Sequence, residues 1–468
     1  MAKKVLGPLP STFFNDAAKT SCSKCRLLVL LIVIRLYKAR RGIMARKLGF
    51  YSVLLFIVYG LFFYWYLFYF ADSKLPFEFQ GTAADPATFL NTRELALSDE
   101  YSKLKNFMFF ISTPLEWLIY LFILLFGFSK AFRKWGEDSG KYKIIQKAIY
   151  LFWLNLMAYI ATFPLSYIGH KVSTDYHIST QSFPSWMKDE LIDFWVNYVI
   201  MFVIFIVLYW LMNKSKKRWW LYAWLLSVPF TLFLTFIQPV IIDPLYNNFT
   251  ALSDKQLEEK ILALAKESNI PAEHVFEVNM SDKTNALNAY VTGIGSNSRI
   301  VLWDTTTKEL KDNEILFVMA HEMAHYVEKH IYYGIALSLV LSFFGLYFIY
   351  KLMNVLVSKW GDALKISRVE DYQSFPLILL LISMLLFAVN PLTNIVSRYE
   401  EKRADNYAVQ LTSDPEAGIT TFQKLAKTGL SEVNPPFLVK VFRYSHPTML
   451  ERISVLEEKS ILQKNSEN

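Results

Sequence analysis

The chain has 468 residues, of which 53% are hydrophobic, 16% aromatic and only 19% charged. Soluble globular domains carry about 25% charged residues, so the composition excludes a disordered chain and an ordinary soluble protein and indicates a protein embedded in lipid. The net charge is +8, from 49 Lys and Arg against 41 Asp and Glu. In a membrane protein such a basic excess marks loops beside anionic lipid, so we expect membrane lipid as a partner and no nucleic acid.

Seven apolar runs are long enough to cross about 30 Å of hydrocarbon as helices. They are bounded by charged residues and lie at 50–70, 107–128, 148–169, 192–212, 219–242, 331–353 and 375–396. The sequence therefore predicts a mainly α-helical, multi-pass integral membrane protein with seven transmembrane helices.

These runs divide the chain into five parts. They are a basic N-terminal segment at 1–49, the first five spans at 50–242, a polar segment at 243–330, the last two spans at 331–396 and a second polar segment at 397–468. Met44 is followed by a basic flank and an apolar run, as at a natural protein start, so we expect residues 1–43 to be an extension. The two polar segments together are long enough to form one compact domain, and a site between them would join both.

Residues 312–330 carry the most specific chemical motif. They lack Gly and Pro, begin with acidic residues and keep apolar residues at helical spacing, which predicts one helix. The HExxH sequence from His321 to His325 places two imidazoles one turn apart on one face, the spacing of two ligands of one zinc ion. Zinc with an open position lowers the pKa of bound water to about 7, and Glu322 is placed to take that proton. We predict a hydrolase with one Zn²⁺ per chain.

A third ligand is predicted on a helix just after the seventh run. Glu401 and Asp405 lie at i and i+4 on one face, which gives a ligand and a partner that orients the ligands. Glu400 is a rival ligand, because periodicity does not separate adjacent carboxylates, but the spacing to Asp405 favours Glu401. A solvated, charged helix start is the alternative, and the small residues Ala404 and Ala408 indicate close packing instead.

Residues 288–293 and 299–304 alternate in strand fashion around a Gly-Ile-Gly-Ser-Asn-Ser turn, which predicts a small β-hairpin. An exposed strand edge can bind a peptide by strand addition. We therefore predict Asn288, Ala289 and Tyr290 as substrate-binding residues, with a purely structural hairpin as the alternative.

In combination, these motifs resemble the type I CAAX endopeptidases, also called CAAX prenyl protease 1, a family of integral-membrane zinc metalloproteases. The resemblance is carried by residues 236–249, 288–293, 299–304, the HExxH motif, 391–398, 401–405 and 445–452. It covers most of the chain from about residue 50 and leaves 1–43 unmatched.

The resemblance implies seven helices around a large water-filled chamber in the membrane, closed by a gluzincin-type zinc domain. The resemblance also implies that His321, His325 and Glu401 bind zinc and that Glu322 is the base. It adds two residues that would contact the substrate, His446 and Arg452. His446 is our candidate for the donor that stabilises negative charge on the carbonyl oxygen, and it is therefore predicted to be catalytic.

The HEMAH form of the motif and the charged residues at 400–405 depart from the family's usual sequences. Shorter loops and a missing prenylation-linked context indicate a prokaryotic member, in the cell membrane; a eukaryotic one would lie in the endoplasmic reticulum membrane. In a prokaryote the substrate need not be prenylated. We expect an endopeptidase acting on peptide or protein substrates, lipidated or not. The alternatives are a general quality-control protease with the same chemistry and, from another class, a noncatalytic transporter or scaffold.

Two arguments disagree about the side of the membrane on which the zinc domain lies. Lys and Arg number six in 129–147, four in 213–218 and three in 354–374, against two in 170–191. The positive-inside rule then places the N-terminus in the cytoplasm and residues 243–330 outside. The resemblance implies a cytosolic zinc domain, and both expectations stand.

Overall fold

A computed structural model describes residues 23–292 and 299–467 of the chain. Residues 1–22 lie outside it, so the prediction that 1–43 are an extension falls largely outside the described residues. In the described part there are fourteen α-helices: α1 (Ser23–Trp65), α2 (Thr92–Leu125), α3 (Phe128–Asp138), α4 (Lys143–Asp175), α5 (Phe183–Lys214), α6 (Trp219–Ile237), α7 (Lys255–Glu267), α8 (Asp304–Glu309), α9 (Asp312–Val327), α10 (His330–Leu364), α11 (Phe375–Thr412), α12 (Pro415–Thr428), α13 (Phe437–Arg443) and α14 (Met449–Glu467).

The predicted seven spans are confirmed. Seven helical segments are long and apolar enough to cross a membrane: Met44–Phe70, Thr92–Leu125, Lys143–Asp175, Phe183–Lys214, Trp219–Leu245, His330–Leu364 and Tyr372–Thr412. They measure 27 to 41 residues, whereas about 20 suffice to cross the hydrocarbon. Several of these helices therefore continue beyond the hydrocarbon into the polar part of the protein.

Aromatic side chains form much of the core of the spanning region. The Tyr150 and Phe205 rings stack with centroids 5.6 Å apart, and Phe375 meets Phe205 edge-on at 4.8 Å. The hydroxyl of Tyr209, buried in the same cluster, lies 2.8 Å from the hydroxyl of Ser374. Aromatic residues therefore join α4, α5 and α11 by large contact areas, and the buried hydroxyl is satisfied.

The predicted hairpin belongs to a larger sheet. Strands β3 (Ala289–Thr292) and β4 (Arg299–Trp303) pair antiparallel as expected, and the turn at 293–298 lies outside the described residues. Two further strands, β1 (Phe249–Ala251) and β2 (Val275–Val278), extend the sheet in the order β1-β2-β4-β3, with β2 parallel to β4. Because β3 is at one edge, its outer side has no neighbouring strand in the described sheet.

The HExxH helix is shorter than predicted. We expected one helix over 312–330, but α9 ends at Val327 and α10 begins at His330. The break lies at Lys329, whose φ of 59° and ψ of 31° are left-handed. A non-glycine residue adopts this conformation at a steric cost, and here it turns the chain so that His330 comes back toward the HExxH face.

The helix that carries Glu401 and Asp405 is longer than predicted. It does not start after the membrane, because α11 runs without interruption from the seventh span at Phe375 to Thr412. It packs along α9, and α12 packs behind α9, where a Cβ on Gly418 would lie 2.5 Å from the ring of Phe317. The HExxH helix is thus held between two helices of the C-terminal segment.

Candidate metal and catalytic site

Three predicted ligands converge between α9 and α11. The Nε2 atoms of His321 and His325 are 3.3 Å apart. The Glu401 carboxylate lies 3.2 Å from Nε2 of His321 and 3.5 Å from Nε2 of His325. Each of the three residues offers one ligand atom, and these three atoms lie within 4.8 Å of one another. Two nitrogens and one oxygen are therefore close enough together to bind one metal ion.

This donor set fits a divalent cation. When His321 is neutral and its Nδ1 proton is bound to Asp405, the buried Oε2 of Glu401 has no hydrogen-bond donor, although a buried carboxylate oxygen normally requires one. A metal ion bound between the two imidazoles and this carboxylate would satisfy that oxygen. Two imidazoles and one carboxylate are also a known ligand set of catalytic zinc. Glu400, the rival ligand, does not belong to the converging group.

Asp405 contacts His321, the ligand candidate that it is predicted to orient. Nδ1 of His321 lies 2.9 Å from Oδ1 of Asp405, so Nδ1 donates to the carboxylate and Nε2 keeps a lone pair for the metal. Arg452 holds Asp405 in turn, with nitrogen–oxygen distances of 2.6 and 2.9 Å. Its guanidinium also lies over the ring of Phe422 at 3.9 Å. Arg452 therefore supports the ligand from behind, and its predicted contact with substrate stays a prediction.

His330 orients the second histidine, and the sequence analysis missed this role. The Nδ1 atoms of His325 and His330 are 2.9 Å apart, and Nε2 of His330 is 3.0 Å from the Glu328 carboxylate. Arg403 donates to the same carboxylate at 2.5 Å. The contacts are satisfied when His325 donates to His330 and His330 donates to Glu328. Nε2 of His325 then keeps its lone pair for the metal.

The electrostatics of the HExxH residues suit metal binding and proton transfer. Burial opposes a charged imidazole at His321, but hydrogen bonds to Asp405 and Glu401 raise the pKa of His321 to about 10. A cation entering the site thus displaces a proton. Burial and the nearby His321 lower the pKa of His325 to about 4, so its lone pair is available at neutral pH. Burial raises the pKa of Glu322 to about 7, which suits a group that accepts and returns protons near neutrality.

A cleft of about 450 Å³ opens beside the converging ligands. Its lining includes His321, Glu322, Asn288, Ala289 and His446. The predicted base, the start of the edge strand and the predicted oxyanion donor therefore share one cavity. The cleft is lined by residues of both polar segments of the chain.

The residues predicted to bind substrate divide between two faces of β3. Ala289 lines the cleft, whereas Tyr290 lines two other cavities, because successive side chains of a strand point to opposite faces. The side chain of Asn288 accepts from the backbone N–H of Ala289 at 2.9 Å, and its backbone is held by Thr306. Contacts of all three residues with substrate stay predictions.

His446 reaches the metal site from the segment between α13 and α14. Its Nε2 lies 3.3 Å from Oε1 of Glu401, and 57% of its side chain is exposed. The hydroxyl of Ser445 lies 3.1 Å from its Nδ1. The exposed imidazole is thus beside the converging ligands and open to the cleft.

Sequence comparisons divide the chain into two matched regions. Residues 69–248 match the family described as CAAX prenyl protease N-terminal, five membrane helices, and residues 251–460 match Peptidase family M48. The protein named uncharacterized metalloprotease YhfN of Bacillus subtilis (strain 168) is 53% identical over 405 residues, which cover 86% of this chain and 95% of that protein.

More distant similarity extends to eukaryotic proteins. CAAX prenyl protease 1 of Saccharomyces cerevisiae is 28% identical, over 69% of this chain and 74% of that protein. The CAAX prenyl protease 1 homolog of Dictyostelium discoideum is 32% identical, over 57% of this chain and 61% of that protein. The crystal structure of S. mikatae Ste24p aligns with a TM-score of 0.73 at 24% identity, over 89% of this chain and 98% of that chain, and shares the fold.

Proposed function

The chain belongs to peptidase family M48, and from that premise we propose that His321, His325 and Glu401 bind one Zn²⁺ for the hydrolysis of peptide bonds. The protein is a multi-pass integral-membrane metalloendopeptidase. The resemblance identified from the motifs is thereby confirmed. The observation that carries the zinc proposal is the convergence of the buried Glu401 carboxylate with one nitrogen from each of two imidazoles.

The chain's own residues supply the proton transfers and the positioning. When bound, zinc lowers the pKa of a water and polarises the peptide carbonyl. Glu322 takes the proton of the attacking water and returns it to the leaving nitrogen. His446 donates a hydrogen bond to the carbonyl oxygen as negative charge develops there. Asp405, held by Arg452, keeps the ring of His321 in the tautomer that a metal ligand requires.

The edge of β3 offers a binding mode for an extended peptide. Asn288, Ala289 and Tyr290 would contact the substrate there. Because Thr306 and Trp303 already hold the backbone of Asn288, pairing with the substrate backbone would begin at Ala289, and such pairing tolerates varied side chains. Ala289 lies at the cleft wall, so a peptide added to this edge passes the base Glu322. Arg452, also on the cleft wall, is proposed to contact substrate beside its bond to Asp405.

We propose membrane-associated proteins as substrates, including lipidated ones. The proposal is supported by the spans that surround the protease domain and by the relatives named CAAX prenyl protease. A second candidate is a general membrane-protein quality-control protease, since the relative with 53% identity is named only as a metalloprotease. Both use the same chemistry and differ in whether the lipid is recognised.

The test uses full-length protein purified in detergent, wild type and Glu322→Ala, with a prenylated peptide and its unmodified counterpart. We expect about one zinc per chain in both proteins and cleavage by the wild type alone. Faster cleavage of the prenylated peptide supports processing of lipidated proteins, and equal rates support quality control. A wild type without zinc and without cleavage overturns the proposed function.

A further inference from the structure

Polar side chains of α11 bind the backbone carbonyls at the end of α13. Asn390 donates to the carbonyl of Phe442 at 2.6 Å, and Asn394 donates to that of Val441 at 3.1 Å. The last carbonyls of a helix have no partners within it. The seven-residue α13 thus ends on donors from a neighbouring helix.

Arg398 completes this set of contacts. Its Nη1 donates to the carbonyl of Lys440 at 3.1 Å and to that of Tyr444 at 2.7 Å. Asn390, Asn394 and Arg398 follow one another at every fourth position, so they share one face of α11. We call them the carbonyl ladder. Polar side chains on a spanning helix are costly and indicate a function, which the zinc chemistry does not account for.

Arg398, the last residue of the carbonyl ladder, lies next to the proposed metal site. Glu401 follows Arg398 by less than one helical turn, and Tyr444 precedes His446 by two residues. The same helix therefore carries a metal ligand and holds the backbone beside the predicted oxyanion donor. On the other side of His446, the backbone N–H of Thr448 donates to Glu451 at 3.0 Å.

The position of His446 depends on this backbone. Its side chain is 57% exposed, so packing around the ring does not fix it. The short segment between Tyr444 and Thr448 is held at one end by Arg398 and at the other by the first turn of α14. A shift of the carbonyl of Tyr444 would move the imidazole relative to Glu401.

We propose that Arg398 is a positioning residue for His446. By holding the carbonyl of Tyr444, it sets Nε2 of His446 beside the metal ligand Glu401, where the substrate's carbonyl oxygen would bind. This inference rests on the proposed function, because the role of His446 belongs to that proposal. It also gives the 391–398 segment, one of the segments that carry the family resemblance, a task of its own.

The first experiment is a double-mutant cycle on the peptide-cleavage rate of the full-length protein. A misplacement of about 1 Å can cost about 100-fold in rate, so we expect Arg398→Ala to lower kcat about 10- to 100-fold, with zinc content kept and KM changed less. If Arg398 acts through His446, the double variant Arg398→Ala/His446→Ala has the rate of His446→Ala alone. A clamp that serves stability only would not produce this lack of additivity.

Two further variants sharpen the cycle. Arg398→Lys keeps a positively charged donor nitrogen but loses the planar guanidinium, so it should retain part of the rate. It replaces Arg398→Ala in the cycle if that variant does not fold. Arg93→Ala, at an exposed arginine on α2, is the matched control and should leave the rate unchanged. Additive losses for Arg398 and His446, or a full rate in Arg398→Ala, overturn the inference.

Hydrogen exchange tests, in the absence of substrate, whether Arg398 holds the backbone beside His446. In Arg398→Ala we expect faster amide exchange over residues 440–448, with exchange in α9 as in the wild type. Unchanged exchange over 440–448 contradicts the proposed hold on Tyr444. Cleavage that does not depend on Glu322 overturns the proposed function instead, and the exchange result still decides the role of Arg398.

Discussion

Nδ1 of His330 lies 2.9 Å from Nδ1 of His325, across the left-handed turn at Lys329. One histidine thereby fixes the tautomer of another, with Glu328 as the final acceptor. Metal-binding histidines commonly donate their second N–H to such a partner. The first residue of the sixth span is thus part of the support of the proposed metal site.

Replacing His330 should weaken metal binding. Loss of such a supporting partner typically costs about 10- to 100-fold in metal affinity, so we expect that range for His330→Ala, measured by chelator competition on purified protein. His274→Ala, at an exposed histidine that is outside the converging ligands and the cleft, is the control. Wild-type affinity in His330→Ala would show that the contact does not support the ligand.

Replacing Glu322 should separate metal binding from turnover. Glu322 lines the cleft but is not one of the converging ligands. We expect Glu322→Ala to keep the wild-type zinc content. Its kcat should fall about 100- to 10,000-fold, the range for general acid–base groups. Glu259→Ala, at an exposed glutamate of α7, should change neither quantity. Lost zinc in Glu322→Ala would move Glu322 into the ligand set.

Breaking the Asp405–Arg452 pair should destabilise the fold and the metal site together. Both residues are less than 10% exposed, and removing one partner of such a pair costs about 3 to 5 kcal/mol, because the other charge stays buried. We expect Asp405→Asn and Arg452→Met each to lower the melting temperature in the presence of a chelator, and the double variant to lose less than the sum. Asp175→Asn breaks an exposed pair with Lys171 and should cost less than about 1 kcal/mol. Additive losses would mean that the pair is not coupled.

The stabilising effect of Glu314 should disappear in acid. Burial alone would raise the pKa of Glu314, but Lys424 at 2.6 Å and the backbone N–H of Lys311 lower it. The pKa of Glu314 in the folded state is below the ordinary value of about 4.3. Its contribution to the stability of the fold is therefore complete when the pH is above that value, and it is lost as the pH falls through the folded pKa. We expect Glu314→Gln to cost about 1 kcal/mol at neutral pH, and melting curves of both proteins to converge on acidification. A gap that persists in acid would assign the effect to shape instead of charge.

The sequence was sufficient for what depends on periodicity along one segment. Run length predicted the seven spans, which are confirmed, and i, i+4 spacing selected His321, His325 and Glu401, whose side chains converge and whose ligand role is a proposal. The role of His330 was not predictable, because it depends on a left-handed residue at Lys329 that no residue type there signals.

Other features escaped prediction for related reasons. Strands β1 and β2 have three and four residues, and no glycine-rich sequence joins either of them to its partner strand, as Gly-Ile-Gly-Ser-Asn-Ser joins β3 to β4. Polar residues at 390, 394 and 398 carry a visible spacing, but their acceptors are backbone carbonyls of α13 and of Tyr444, which follows it. A backbone partner leaves no pattern of residue types in the sequence, so only the folded chain identifies it.

The two spans between the HExxH helix and Glu401 determine when the site can form during synthesis. His321 and His325 leave the ribosome first, and Glu401 follows only after α10 and all of the spanning part of α11. Until those helices are inserted and lie side by side, the two imidazoles have no carboxylate to share a metal with. On the proposed ligand set, acquisition of the metal would be a late step of membrane insertion, and a chain arrested before the seventh span would lack one of the three ligands.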